Sequence, residues 1–134
     1  MITVLLADDH RVVRDALQYL LEAQGDIKVI ALAADGLEAV EKAKVRCPDV
    51  VVMDISMPRM DGIEATKRIC QNCPNSRTVM LTIYNSAEHI QHALQAGADG
   101  FVLKEAAGQE LVAAIRALNR GGRYFSSTIK DMDR

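Results

Sequence analysis

Four short apolar runs in this chain each end at a residue that can bind phosphate or a metal ion. The runs and the residues that follow them are Ile2–Ala7 with Asp8 and Asp9, Val50–Met53 with Asp54, Thr78–Leu81 with Thr82, and Phe101–Leu103 with Lys104. Short runs rich in Val, Ile and Leu, separated by segments of helical periodicity, are typical of buried strands in a parallel sheet. Because ligands bind beyond the carboxyl ends of such strands, we expect these five side chains to converge at one edge.

Helix signals alternate with the predicted strands along the chain. Apolar residues recur at helical spacing after each strand, and Asp35, Asp61 and Ser86 stand where helix N-caps are expected. A further strand, Ile27–Ala33, begins with the alternating pattern of an edge strand. Five such βα units predict an α/β fold, a doubly wound three-layer sandwich whose five-stranded parallel sheet has the order 2-1-3-4-5. This order places the first and third strands side by side, so the acidic residues that follow them would meet.

Length and charge favour an ordinary protein domain without a charged binding face. The 134 residues suffice for one core, and the net charge of −2 does not indicate a surface for nucleic acid or anionic membranes. No apolar stretch reaches the length of a membrane span, and no basic region precedes an apolar block at the start. We therefore expect no membrane partner and a cytoplasmic location.

The three cysteines do not predict a disulfide framework, because their number is odd. Cys70 and Cys73 form a C-x-x-C pair, but no second Cys or His pair lies at a spacing suitable for zinc. The pair falls near the end of a predicted helix, before Pro74, whereas redox-active pairs normally lie at a helix N-terminus. We interpret Cys70 and Cys73 as incidental thiols.

The predicted edge has the chemistry of a phosphoryl-transfer site. Asp8, Asp9 and Asp54 can supply carboxylates to Mg²⁺, which prefers oxygen ligands. A carboxylate can also attack phosphorus and form an aspartyl phosphate. Lys104 can bind a phosphoryl oxygen as a point charge, and the Thr82 hydroxyl can donate a hydrogen bond to another.

Each of these residues also has a plain structural interpretation when taken alone. Asp9 and Asp61 are suited to cap helices, and for Asp61 we prefer that role. His10 follows the acidic pair and is expected at the edge of the site without a necessary chemical task. His89 and His92 lie three apart on one predicted helix without a further ligand, so we expect a solvated face. That four of the five predicted strands should be followed by a suitable group by chance is improbable.

Together these motifs resemble the receiver domain of two-component response regulators. The matching segments are Asp8-Asp9, Asp54-Ile-Ser-Met-Pro-Arg-Met-Asp-Gly62, Thr82 and Gly100-Phe-Val-Leu-Lys104. The resemblance covers residues 1 to 120. It implies the flavodoxin-like (CheY-like) fold and a domain switched by phosphorylation, which is not an enzyme of ordinary turnover although it assists its own phosphorylation and dephosphorylation.

The resemblance also implies how the phosphoryl group and the metal are held. Asp54 would be the phosphoacceptor. Asp8 and Asp9 would bind Mg²⁺, or Mn²⁺ in its place, together with Asp54 and the main-chain carbonyl of Ser56. The Ser56 side chain occupies one of the positions that tune the lifetime of the phosphoryl group in the family.

Carried over in the same way, Thr82 and Lys104 would bind the phosphoryl group. Phe101 occupies the position of the family's switch aromatic, which is buried or exposed as the threonine moves. Ile83 stands where a small residue is usual and would narrow access to the acceptor. Tyr84 stands at a second position that tunes phosphoryl lifetime. The residue after Lys104 is glutamate, where the family often has proline.

The ends of the chain resemble one subfamily, the receivers of LuxR-type (NarL/FixJ) transcription factors, through the opening L-L-A-D-D-H and the closing G-G-R-Y-F-S. This resemblance implies that residues 121–134 begin an interdomain linker and that a helix-turn-helix DNA-binding domain follows in the full-length protein. The expected partners are a sensor histidine kinase, a second copy of the chain on phosphorylation, and DNA only through the C-terminal domain.

Three alternatives to a DNA-binding regulator remain at this point. The first is a stand-alone receiver that signals by protein contact. The second is a Mg²⁺-dependent phosphohydrolase of the haloacid-dehalogenase type, which is weak because those enzymes carry D-x-D after the first strand and this chain has adjacent aspartates. The third is an interaction module that needs no phosphorylation, against which the complete set of acidic, hydroxyl and lysine groups argues.

Overall fold

A computed structural model describes residues 1–83 and 86–126. The strands are β1 (Ile2–Ala7), β2 (Ile27–Ala33), β3 (Val50–Asp54), β4 (Arg77–Thr82), β5 (Gly100–Leu103) and β6 (Tyr124–Phe125). The helices are α1 (Arg11–Glu22), α2 (Gly36–Val45), α3 (Gly62–Asn72), α4 (Ala87–Ala96) and α5 (Ala107–Asn119), with a single 3₁₀ turn, Lys104–Ala106, before α5. Tyr84 and most of the predicted linker, residues 127–134, lie outside the described residues. Among the described helices, none is long and apolar enough to cross a membrane.

The sheet is parallel and has six strands in the order β2-β1-β3-β4-β5-β6. The predicted order of the first five strands is confirmed, whereas the predicted number of strands is wrong. The sixth strand pairs Tyr124 with Gly100 and Phe125 with Phe101. Two residues are too few to show an alternating pattern, and this strand therefore has no signal in the sequence. It forms because the chain returns from α5 along the open edge of β5.

The core has one layer on each face of the sheet, since all five residues of β3 are buried and alternate between the faces. Val51 and Met53 pack with the side chains of α2, α3 and α4, whereas Val50 and Val52 pack with those of α1 and α5. Burial of a side chain of this size contributes about 1.5–3 kcal/mol each. The two layers fix β3 firmly, and its last residue is Asp54.

Three predicted N-caps are confirmed. The side chains of Asp35, Asp61 and Ser86 each accept a hydrogen bond from the backbone N–H three residues later, at the start of α2, α3 and α4. A cap of this kind is worth about 0.5–2 kcal/mol. The cap at Asp61 also fixes where the loop after β3 ends.

Gly62 allows the start of α3 to approach the end of β3. Its N–H donates to the Ile55 carbonyl at 2.8 Å, and a Cβ at this position would overlap the Asp54 carbonyl oxygen. We expect Gly62→Ala to lower the free energy of unfolding by about 1–3 kcal/mol in urea denaturation. Gly108→Ala is the matched control, because a Cβ there meets no atom within 4 Å, and it should be neutral or slightly stabilising. Equal effects of the two substitutions would contradict this account.

The structure contradicts the expectation of no disulfide and the interpretation of Cys73 as an incidental thiol. Cys47, which follows α2, and Cys73, which ends α3, form a disulfide with Cα atoms 5.7 Å apart. Only Cys70 remains free among the described cysteines. The two partners are 26 residues apart in sequence, but α2 and α3 are neighbours whose C-terminal ends lie on the same side of the fold. An odd count of cysteines could not reveal this proximity.

Candidate functional site

Four strand ends bring the predicted residues to one edge of the sheet. Asp8 follows β1, Asp54 ends β3, Thr82 ends β4, and Lys104 follows β5. The side chains of Asp8, Asp54 and Thr82 are almost fully buried. Parallel pairing places β3 beside both β1 and β4, and β5 beside β4, so four separate segments of the chain contribute to this site.

Lys104 bridges the two buried carboxylates. Its Nζ lies 3.0 Å from Asp54 Oδ2, to which it donates a hydrogen bond, and 3.2 Å from Asp8 Oδ2. Burial by itself would lower the pKa of Lys104, but the hydrogen bond to Asp54 and the negative charges of Asp54 and Asp8 outweigh it, so the pKa is raised. The ammonium group is therefore charged at neutral pH and stands where an incoming anion would meet it.

The carboxyl group of Asp54 has a raised pKa. Burial raises its pKa to about 6, with the charge of Asp8 adding to the rise, although the hydrogen bond from Lys104 and the Ser56 N–H oppose it. The Ser56 N–H points to Asp54 Oδ1 at a long 3.4 Å. One lysine thus compensates two carboxylates only in part, and a further positive charge at this site would favour the ionised form.

The oxygen atoms at this edge fit a divalent cation. Potential ligand atoms of Asp8, Asp9, His10 and Asp54 all lie within 4.8 Å of one another. Asp8 Oδ2 is fully buried and forms an ion pair with Lys104 Nζ at 3.2 Å, the same ammonium group that binds Asp54. Two buried carboxylates that share one ammonium group are only partly compensated, so a further cation at this edge would stabilise their ionised forms. Carboxylate oxygens are hard ligands, which suit Mg²⁺ or Mn²⁺.

The His10 side chain contacts both acidic residues that precede it. Its ring Nδ1 is 3.3 Å from an oxygen of Asp8 and 3.3 Å from an oxygen of Asp9, and the His10 backbone N–H donates to Asp8 Oδ1 at 2.8 Å. Its Nδ1 also lies 3.5 Å from Lys104 Nζ. The adjacency of His10 to the acidic pair was the available signal, but an exposed histidine at a strand end has no fixed role in sequence patterns.

The loop between β3 and α3 is held by α2, which sequence reasoning missed. Arg59 has a positive φ of 64° and forms an ion pair with Asp35 at 3.0 Å. Next to it, the Gly36 N–H donates to the Met60 carbonyl at 3.0 Å. Asp35 thus serves both as the cap of α2 and as an anchor for the loop that follows Asp54.

The residues predicted as switch and access residues lie beside this site. Phe101 is fully buried, and its ring stacks on that of Phe125 with centroids 6.1 Å apart. Ile83 is two-thirds exposed at the end of β4. Thr82, Ile83 and Lys104 help to line a cavity of about 110 Å³ between the ends of β4 and β5. The roles of these residues, and that of the Ser56 carbonyl, stay predictions.

Comparisons with known proteins agree with this geometry. The model of the response regulator receiver domain family matches residues 4–116. The transcriptional regulatory protein YhcZ of Bacillus subtilis is 44% identical over 125 residues, which make up 93% of this chain and 58% of YhcZ. The oxygen regulatory protein NreC of Staphylococcus carnosus is 40% identical over 123 residues, which make up 91% of this chain and 57% of NreC.

A solved structure supports the same assignment. The crystal structure of a two-component response regulator of the LuxR family from Aurantimonas sp. SI85-9A1 has a TM-score of 0.93 at 37% identity, covering 98% of this chain and 94% of that chain. The chain spans less than three fifths of the length of the two curated relatives, which contain additional sequence. The matched segment includes Asp8, Asp54, Thr82 and Lys104. The chain therefore belongs to the response regulator receiver domain family.

Proposed function

We propose that Asp54 accepts a phosphoryl group from the phosphohistidine of a sensor kinase in a Mg²⁺-dependent reaction. The observation that carries this proposal is the buried pair of carboxylates, Asp8 and Asp54, bridged by a charged lysine at 3.0 and 3.2 Å. A carboxylate needs nearby positive charge if it is to attack an anionic phosphoryl group. Lys104 supplies one such charge, and the arrangement leaves a deficit that a cation would fill.

Asp8, Asp9 and Asp54 would hold Mg²⁺, or Mn²⁺ in its place, with the Ser56 carbonyl as a further ligand. The fit rests on the buried carboxylates of Asp8 and Asp54, which share one lysine, and on potential ligand oxygens of Asp8, Asp9 and Asp54 that lie within 4.8 Å of one another. When bound, the cation supplies positive charge that neutralises phosphoryl oxygens and keeps the acceptor ionised. His10 lies beside these oxygens but is a poorer ligand for a hard cation.

The transfer itself is carried by the side chains of the chain. An oxygen of the Asp54 carboxylate forms a bond to phosphorus while the bond between phosphorus and the donor's imidazole nitrogen breaks, and the electron pair leaves with that nitrogen. Lys104, now hydrogen-bonded to Asp54 at 3.0 Å, turns its charge to a phosphoryl oxygen. The Thr82 hydroxyl, at the end of the neighbouring strand, donates to another oxygen.

The structural change that phosphorylation causes would then be transmitted through Thr82 and Phe101. The new phosphoryl oxygens attract the Thr82 side chain, and Phe101 lies on the adjacent strand in parallel register with β4. A local change of charge that biases a packed element between two arrangements is a common form of switching. Since YhcZ is a transcriptional regulatory protein by name, we infer that the output of the longer protein is DNA binding through a C-terminal domain, with dimerisation of receivers as the intermediate step.

The direct test is the intact mass of the protein after incubation with acetyl phosphate and Mg²⁺. We expect one phosphoryl adduct, formed with Mg²⁺ and absent when a chelator is present. If the acyl phosphate is too short-lived to detect, beryllofluoride with Mg²⁺ should still bind at the site, and a rise in the melting temperature of the protein would report this binding. Failure of both measurements at millimolar Mg²⁺ would contradict the proposal and favour an interaction module that needs no phosphorylation.

Mg²⁺ binding should strengthen as the pH rises from acid to neutral. Asp54 has a pKa of about 6 without the metal and must lose its proton to bind the cation. Below that pKa the proton competes, so we expect the apparent dissociation constant at about pH 5 to be about tenfold higher than at about pH 7.5. Isothermal titration calorimetry measures the change. An affinity for Mg²⁺ that stays constant over this window would show that Asp54 does not take part in binding.

A further inference from the structure

The disulfide between Cys47 and Cys73 is asymmetric in its exposure. Cys47 lies on the surface in the loop after α2, whereas Cys73 is only 2% exposed at the end of α3. A thiolate attacks a disulfide at one of its two sulfur atoms, and access decides which one. The sulfur of Cys47 is the one that a thiol from solution can reach.

We propose that Cys47 is a thiol-exchange site, at which a small thiol from solution opens the Cys47–Cys73 disulfide. The incoming thiolate forms a bond to Cys47 Sγ while the bond between the two protein sulfurs breaks, and Cys73 leaves with the electron pair and takes up a proton. A second molecule of the small thiol then displaces Cys47 from the mixed disulfide. Overall, two small thiols are oxidised to their disulfide, and Cys47 and Cys73 are reduced to two thiols.

The surroundings of the two sulfurs also accommodate the reduced form. Cys73 Sγ lies 3.4 Å from the Ala43 carbonyl oxygen, and Cys47 Sγ lies 4.0 Å from the Asn72 carbonyl oxygen. A disulfide has no proton to donate to these acceptors, whereas a thiol is a weak donor. After reduction the two sulfurs must move apart to non-bonded distance, and each thiol then has a carbonyl oxygen nearby to which it can donate.

Cys70 does not take the place of the external thiol. It lies three residues before Cys73 on α3, half-buried, with Sγ 3.8 Å from the Gly97 carbonyl oxygen. Burial, and to a smaller extent the charge of Asp99, raises the pKa of the Cys70 thiol and so disfavours the nucleophilic thiolate. An internal exchange that moves the bond to Cys70 is disfavoured for the same reason.

Opening the disulfide would loosen the segment that carries the candidate site. The bond closes a loop of the chain from Cys47 to Cys73, which contains β3, Asp54 and all of α3. In the middle of this segment, the loop after β3 is tied to the start of α2 by the ion pair between Arg59 and Asp35 and by the hydrogen bond from the Gly36 N–H to the Met60 carbonyl. Reduction removes the disulfide at the end of the segment and leaves these two contacts in place. The exchange chemistry itself does not depend on phosphorylation of Asp54, so either proposal can fail without the other.

The test is exposure of the native chain to glutathione and glutathione disulfide at varied ratios, followed by acid quenching, alkylation and peptide mapping. Under oxidising ratios we expect one alkylated cysteine, Cys70, and under reducing ratios three. Cys73→Ser should retain glutathione on Cys47, whereas Cys47→Ser should take up none at the buried Cys73. Three alkylated cysteines at every ratio, or equal labelling of the two variants, would overturn the proposal.

Stability measurements provide a second readout that does not use labelling. Reduction with glutathione should lower the melting temperature by on the order of 5–15 °C, because the closed loop restrains the unfolded chain. The same treatment should leave Cys47→Ser unchanged, and Cys70→Ser should respond like the unsubstituted chain. Amide exchange should become faster in the last turn of α3 but not in α5. If small thiols reduce the disulfide only after global unfolding, the bond is a structural crosslink and not an exchange site, and the proposal is overturned.

Discussion

Asp54→Asn is expected to abolish the Mg²⁺-dependent phosphoryl adduct, with a loss on the order of 10³-fold or more in the rate of its formation. The amide that replaces the carboxylate has no anionic oxygen to attack phosphorus. Asp8 and Asp9 remain near the site, but Asp8 Oδ2 is held in the ion pair with Lys104. The rate of adduct formation from acetyl phosphate, followed by intact mass, measures the effect.

Asp61→Asn is the matched control for this substitution. Asp61 lies in the same loop, is exposed, and caps α3 through its bond from the Glu64 N–H. Asparagine caps a helix about as well as aspartate, so both stability and phosphorylation should persist. An adduct of equal rate in Asp54→Asn would contradict the assignment of the acceptor.

The fold of Asp54→Asn should be at least as stable as that of the unsubstituted chain in the presence of chelator. The pKa of Asp54 rises from 3.8 to about 6 on folding, so the folded state holds the proton more tightly than the unfolded state does. Stability is therefore lost as the pH rises through this interval, and ionised Asp54 destabilises the metal-free fold at neutral pH. Without metal, Asp54→Asn should therefore melt at a higher temperature than the unsubstituted chain at about pH 7, and at about the same temperature at about pH 3.5. A higher melting temperature of the unsubstituted chain at about pH 7 would contradict this expectation.

Lys104→Met is expected to have the second of the two largest effects. It should lower the free energy of unfolding of the metal-free protein. The lysine is the one cation that the described structure places against both Asp8 and Asp54, and it lies within 3.2 Å of each. Removing one partner of a buried ion pair leaves uncompensated charge and costs about 3–5 kcal/mol. We expect a loss of this order in urea denaturation with chelator, partly offset by protonation of Asp54. Mg²⁺ should restore more stability to the variant than to the unsubstituted chain, because the cation takes over the missing charge.

Phosphorylation of Lys104→Met should also slow, by on the order of 10²-fold, because a charged donor to the phosphoryl group is lost. Lys67→Met is the control, since Lys67 is exposed on α3, whereas the ion pairs with Asp8 and Asp54 are formed by Lys104. This control should change neither stability in chelator nor the rate of adduct formation. If the two lysine variants behave alike with and without Mg²⁺, Lys104 is not part of the site.

Much of the fold follows from patterns that are local in sequence. β1 and β2 have the predicted bounds, and the caps at Asp35, Asp61 and Ser86 are where short polar side chains precede helical periodicity. The convergence of the site follows from one further rule, that ligand sites lie at the carboxyl ends of parallel strands. Local signals and one topological rule were sufficient because β1, β3, β4 and β5 each have a functional residue at or directly after their carboxyl end.

The features that were missed depend on contacts between distant segments. The disulfide joins Cys47 to Cys73 across two helices, and no local pattern links them. The ion pair of Arg59 with Asp35 connects a loop to a helix cap 24 residues earlier. The sixth strand forms where Phe125 packs on Phe101, a contact that becomes visible only when α5 has been placed. Such contacts are set by tertiary packing rather than by propensity.

The most direct test of the central claim is to locate the phosphoryl group by borohydride reduction and peptide mapping. Borohydride reduces an aspartyl phosphate to homoserine and leaves free carboxylates unchanged, so the acceptor is marked covalently. After treatment with acetyl phosphate and Mg²⁺, we predict homoserine at position 54 and aspartate at positions 8 and 9. Homoserine at another aspartate, or none in a sample whose intact mass shows the adduct, would contradict the claim that Asp54 accepts the phosphoryl group.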